Sequence, residues 1–158
     1  MRIGIDIGGT KILAGFIDDS GLVISKRKVP VGRDKRYENV KAVIIDLLND
    51  MLREKGLHRR SISKIGIACA GQIEKDTQKI LFSPNLRWKN APLKKDMEKR
   101  FGVSVFVEND VNAATYGEWR FGLKSKPKDM IGIYPGTGIG GGIMGQAEAV
   151  RTALARGI

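Results

Sequence analysis

Apolar and polar residues alternate from the first position onward. Ile3, Ile5 and Ile7 mark "RIGIDI", a Gly8-Gly9 turn follows, and "KILAGFID" and "LVISKRKV" repeat the pattern on either side of a second turn, "DSG". A period of two broken by Gly-Gly predicts strands joined as hairpins, so the first 30 residues read as an antiparallel meander. The period then changes. From Asn39 to Lys55, Val40, Val43, Ile44, Leu47, Leu48, Met51 and Leu52 recur at helical spacing, and Gly56 stands where a C-terminal cap belongs, which predicts an amphipathic helix laid on the sheet. The nearly continuous apolar run "SKIGIACAG" fits a central strand buried on both faces.

Further along, turn residues at several points of Gln72–Pro92 predict irregular structure. A short helix is expected at Leu93–Phe101, a strand at "VSVFVEN", a helix from about Val111 to Phe121, and a strand at "MIGIY" that runs into "YPGTGIGGGIM". "GLKSKPKD" clusters Gly, Ser, Pro and lysine and is the best candidate boundary. It divides the chain into residues 1–122 and 123–158. The tail "GQAEAVRTALARGI" is Ala-rich and helix-prone, and does not continue the strand. Three meandering strands followed by alternating helix and strand give an α/β fold, a mixed sheet with helices on both faces, which is the ribonuclease H-like arrangement.

Composition narrows the functional classes. The 158 residues, 42% hydrophobic and 28% charged, contain no apolar run of membrane-spanning length, and the N-terminus enters a strand without a signal peptide. A cytoplasmic protein is the resulting expectation. One cysteine, Cys69 in an apolar run, and one histidine, His58 in a polar one, give no zinc site within this chain. The net charge of +11 gathers in "SKRKVPVGRDKR", "LKKDMEKR" and "LKSKPK". Such a surface attracts anions of any kind, but these runs carry few aromatic residues to stack on bases, so nucleic acid is an unfavoured partner.

Candidate chemistry lies at the ends of strands. Asp6 precedes a turn in which Gly8 and Gly9 remove side chains, Thr10 adds a hydroxyl and Lys11 a charge. That pattern suits a phosphate as well as an ordinary hairpin. Glu108, Asn109 and Asp110 end a strand and open a helix, with Asn112 close behind. An Asn or Asp there can be a plain N-cap. One cap does not account for so many acidic and amide groups in a row, and a carboxylate within reach of an alcohol can act as its general base. "GTGIGGG" is a second glycine turn with a threonine. Two such turns would grip a polyphosphate, with Mg²⁺ between carboxylate and phosphates.

Taken together, "IGIDIGGTKI", "IGIACAGQIE", "SPNLRWKNAPL", "VENDVNAATYGE" and "GTGIGGGI" resemble, in order and spacing, the ROK family of sugar kinases and sugar-responsive repressors, members of the actin-like ATPase superfamily. The resemblance implies ATP and Mg²⁺ as cofactors and a hexose or N-acylhexosamine as substrate. By position it implies that Gly8, Gly9, Thr10 and Lys11 form a first phosphate loop and Gly136, Thr137 and Gly138 part of a second. It implies Asp110 as catalytic base, Asn109, Asp110 and Gly71 as sugar contacts, and Asp6 near Mg²⁺ through water. Pro135 departs from the family pattern and removes a backbone donor ahead of the second loop.

The family's Gly-Glu-x-Gly-His segment, zinc motif and adenine pocket would all follow Ile158, so a truncated chain with weak or absent turnover is expected. Its unfinished C-terminal hairpin is expected to favour a homo-oligomer. Two other readings stand beside this one. A sugar-sensing repressor domain would need a helix-turn-helix ahead of the first loop. A ribonuclease H-like nuclease would use Asp6 and Asp110 as metal carboxylates.

Overall fold

In the computed structural model, which describes residues 1–135, 139–145 and 148–150, the opening meander forms as its periodicity requires. Strands β1 (Arg2–Ile7), β2 (Lys11–Ile17) and β3 (Val23–Pro30) run antiparallel in sequence, with Ile7 opposite Ile12 and Lys11 opposite Pro30. Strand β4 (Lys64–Cys69) pairs parallel to β1, residue for residue from Arg2–Lys64 to Ile7–Cys69. A parallel neighbour needs a crossover, and α1 (Tyr37–Glu54) supplies it. The sheet order, with β8 (Ser104–Asn109) at one edge, is β3-β2-β1-β4-β8.

Period two puts Ile3, Ile5, Ile7, Ile12, Ala14, Phe16, Ile65, Ile67, Cys69, Val105 and Val107 into one core. Helix α1 adds Val40, Ile44, Leu47, Leu48, Met51 and Leu52, and α2 (Leu93–Phe101) adds Leu93, Met97 and Phe101. Each fully buried large aliphatic side chain contributes about 1.5–3 kcal/mol. Cys69 is buried in the same core, as its apolar surroundings predict. Gly56 ends α1 at φ 62°. Its N–H donates to the Arg53 carbonyl at 3.0 Å and that of Leu57 to the Leu52 carbonyl at 2.9 Å, the paired bonds of a Schellman cap.

Three expectations need correction. Residues 72–92 are not irregular: β5 (Gln72–Ile73), β6 (Ile80–Ser83) and β7 (Trp88–Ala91) make a second, antiparallel sheet. Strands of two to four residues are too short to show alternation, and the chain reverses between them at non-glycine positions of positive φ, Gln78 and Arg87. The helix after β8 has the expected span but not one type: α3 (Asp110–Gly117) is α-helical and Glu118–Gly122 continues it as one π-helical turn. The helix-prone tail contains a strand, β11 (Glu148–Val150), on the edge of β10 (Ile139–Gly145), which itself pairs with β9 (Asp129–Pro135). A sheet edge offering backbone partners overrides a weak helix propensity. The rest of that tail lies outside the described residues.

Two compact units result, residues 1–108 and 109–158. In the second, α3 packs on one face of the β9–β10 hairpin. A Cβ on Gly132 would lie 2.8 Å from the Thr115 hydroxyl, one on Gly140 2.6 Å from a Val111 methyl, and one on Gly142 2.8 Å from the Thr115 Cβ. Gly140 and Gly142 therefore serve helix packing. The opposite face exposes Ile131, Ile133, Ile139 and Ile143. Among the described residues, no helix is long and apolar enough to cross a membrane.

Candidate functional site

In the first unit, the turn between β1 and β2 is tied at both ends. The Gly8 N–H donates to the Lys11 carbonyl at 3.0 Å, and the Thr10 carbonyl accepts from the Val31 N–H at 2.9 Å. The Gly8 donor is thus engaged inside the turn, while the Thr10 and Lys11 side chains are exposed. Asp6 is also exposed, in register between Leu13 and Ala68. Gly9 is pressed against the turn between β6 and β7, where an added Cβ would lie 3.0 Å from the Cβ of Asn85. Nothing in the sequence around Asn85 marks it as a partner of Gly9. Its only signal was a place inside "SPNLRWKNAPL", and contact with a phosphate-type turn is a tertiary fact.

Gly71 follows β4 at φ 151°, and a Cβ there would collide with the Phe82 carbonyl and lie 3.0 Å from the Ser83 Cα. The buried Ser83 hydroxyl donates to the Ala70 carbonyl at 2.5 Å. Only glycine fits this crossing of β4 and β6.

In the second unit, Asn109 is the N-cap of α3. Its Oδ1 accepts from the Val111 N–H at 2.9 Å and the Asn112 N–H at 3.1 Å. The cap reading is therefore correct for Asn109, whose one side chain serves two of the open N–H groups at the helix start. Asp110, half-buried, accepts a further 3.0 Å bond from the Val111 N–H through Oδ1. Among the described residues no hydrogen bond to its Oδ2 is made. A carboxylate at a helix N-terminus whose cap is already supplied can accept a proton from a ligand hydroxyl. Gly136, Thr137 and Gly138, expected in a second phosphate loop, lie outside the described residues. Pro135 closes β9 opposite Ile139. Asp6, Gly8–Lys11 and Gly71 thus belong to the first unit, Asn109 and Asp110 to the second.

Residues 2–153 match the model of the ROK family. The chain belongs to the ROK family. Relatives of this ROK chain include a glucokinase of Streptomyces coelicolor, 39% identical over 144 residues, covering 91% of this chain and 43% of that protein. A xylose repressor of Bacillus subtilis is 32% identical over 142 residues, covering 90% of this chain and 36% of the repressor. Among solved structures, a ROK glucokinase from Streptomyces griseus in complex with glucose and AMPPNP superposes with a TM-score of 0.82 at 38% identity, over 98% of this chain and 48% of that one. The chain spans less than half the length of the glucokinases it matches. These neighbours carry the actin-like ATPase fold, and the mixed α/β sheet of this ROK chain is that fold.

Proposed function

We propose that the chain is part of a ROK sugar kinase that transfers the γ-phosphate of ATP to a hydroxyl of a hexose or N-acylhexosamine. Residues 1–122 would form its N-terminal ATPase domain and residues 123–158 the start of the second. The observation that carries this reading is the supernumerary Asp110 carboxylate, whose helix is already capped by Asn109. Glucokinase relatives, one of them crystallised with glucose and AMPPNP, support it.

In this reading Asp110 takes the proton from the attacking sugar hydroxyl, Asn109 and Gly71 position the sugar, and Gly8–Lys11 with Gly136–Gly138 hold the donor phosphates. Asp6 would hold Mg²⁺ through water. Asp6 is exposed near the end of β1, and Mg²⁺ keeps several waters and binds through one or two carboxylates plus substrate phosphates. Bound Mg²⁺ would neutralise phosphate charge.

A coupled assay with ATP and hexose tests the reading. Slow turnover is expected from this chain, falling by about 10²–10⁴-fold in Asp110→Asn, as for loss of a general base. Turnover indifferent to that substitution, or Mg²⁺-dependent cleavage of an RNA–DNA hybrid, would overturn it. The xylose repressor relatives favour a second reading, a sugar-sensing domain. Sugar binding that survives Asp110→Asn, with no phosphoryl transfer in the unsubstituted chain, would select it.

A further inference from the structure

The Gly8–Lys11 turn is held from outside its own hairpin. Residues 31–35, which follow β3, reach both that turn and the one joining β6 to β7. At one end of this strap the buried Val31 donates its N–H to the Thr10 carbonyl at 2.9 Å. At the other, the Lys35 carbonyl accepts from the Trp88 indole N–H at 2.8 Å, and the Lys35 ammonium donates to the Asn85 carbonyl at 3.2 Å. Between the two ends the chain bends at Gly32, whose φ of 91° is open to glycine. Asn85 in turn lies against Gly9, where an added Cβ would meet the Asn85 Cβ at 3.0 Å.

The firmest anchor in this circuit is Trp88. It is 2% exposed, its ring meets Tyr37 of α1 edge-on at 5.3 Å between centroids, and the Tyr37 hydroxyl donates to Asp96 of α2 at 2.7 Å. Packing on both helices therefore fixes the indole donor, and a hydrogen bond in such a setting is stronger than one in water. The ammonium bond of Lys35 is exposed and weaker. Leu86, 1% exposed, fastens the β6–β7 turn to the core.

A buried indole N–H needs a partner wherever it stands, and any carbonyl would serve. What is particular here is the partner's position. Lys35 also grips Asn85 through its side chain, and four positions back the same strap grips Thr10. The two turns that meet at Gly9 and Asn85 are thus tied through one segment, and that segment is tied to Trp88. A backbone cradle stabilises charge only when its shape is set before the ligand arrives. Two adjacent glycines do not set it, so the shape of the Gly8–Lys11 turn depends on these neighbours.

We propose that Trp88 is a positioning residue for the donor-phosphate turn: through Lys35 and the strap it holds Gly8–Lys11, and Asn85 beside them, without touching a ligand itself. That the turn holds donor phosphates rests on the kinase reading, whereas the coupling of Trp88 to the turn does not.

Two measurements on Trp88→Phe separate these statements, phenylalanine keeping a ring beside Tyr37 and removing the indole donor. In amide hydrogen exchange the Gly8 and Val31 N–H groups are expected to exchange about tenfold faster, the scale of one lost hydrogen bond to a buried carbonyl, while Ile5 in β1 and Ile67 in β4 change less than about threefold. Equal acceleration at all four would reduce Trp88 to general stability and overturn the proposal, as would no change at Gly8 and Val31. In the coupled assay the KM for ATP is expected to rise about fivefold with the KM for hexose unchanged, whereas a merely less stable chain loses kcat and keeps both KM values. Faster exchange at the turn with an unchanged KM for ATP would overturn the phosphate role. Absence of turnover in the unsubstituted chain would count against the kinase reading alone, and the exchange comparison would still decide the coupling. If circular dichroism shows Trp88→Phe unfolded, Lys35→Met, which removes the ammonium bond to Asn85, decides by the same four amides: faster exchange at Gly8 than at Ile5 supports the strap, and equal rates overturn it.

Discussion

Gly71 shows how a residue can be forced by its neighbours, whatever ligand it meets. With φ 151° and the Phe82 carbonyl in the way of any Cβ, Gly71→Ala is expected to destabilise the chain by about 2 kcal/mol or more, through overpacking and backbone strain together. A urea titration would read this as a lower midpoint at unchanged slope. Asp96 illustrates charge in place of shape. Burial alone would raise its carboxyl, but the hydrogen bonds from Lys41 at 2.8 Å and Tyr37 at 2.7 Å prevail and hold it below its ordinary value of 3.8. A depressed folded-state carboxyl stabilises above its unfolded value, and that contribution is lost as pH falls through the folded one. Stability should therefore fall below about pH 3.8, and Asp96→Asn should be less stable at neutral pH with a flatter acid limb. Thermal melts at neutral and acid pH would check both. Neither residue's setting was visible in sequence, because Phe82 and Lys41 meet them only through tertiary contact.

At the scale of elements, part of the "GTGIGGG" run serves packing. Gly140 and Gly142 lie inside β10 and let α3 approach the hairpin, with Gly142 against Thr115 and Val111. Gly142→Ala should cost about 1–3 kcal/mol by overpacking and lower hydrogen-exchange protection in α3 and β10 before β1–β4. Equal protection in the variant would show that the contact yields without strain. The glycine pattern was legible in sequence, whereas the packing role of Gly140 and Gly142 depends on which positions face a helix. Likewise, the strands of residues 72–92 are not legible in sequence, because two to four residues cannot display a period.

For the whole molecule, surface character makes the remaining prediction. Ile131, Ile133, Ile139 and Ile143 line one face of the hairpin with 43–70% of their surface exposed, on a chain of net charge +11. We expect two copies to associate through this face, more strongly as salt screens their mutual repulsion. Sedimentation velocity would show a mass that rises with protein concentration, and Ile131→Lys with Ile133→Lys would abolish the rise. A monomer at every concentration and salt would count against it.

Sequence alone determined the meander, α1 with its glycine cap, α2, the existence of the strand at Lys64–Cys69, the family, and the candidate positions Asp6, Gly8–Lys11, Gly71, Asn109 and Asp110, whereas the central place in the sheet went to β1 and only one face of β4 is fully buried. These follow from local periodicity, turn chemistry and motif order, all of which are written along the chain. Tertiary structure alone decided that Asn109 spends its oxygen on the helix cap, that Gly9 rests against Asn85, and that Gly71 and Gly142 are held by packing. It also tied Lys35 to Asn85 and Trp88, some fifty positions apart. The physical reason is the same in each case: a hydrogen bond, a collision or a charge cluster belongs to a pair of segments, and neither segment's pattern records the other.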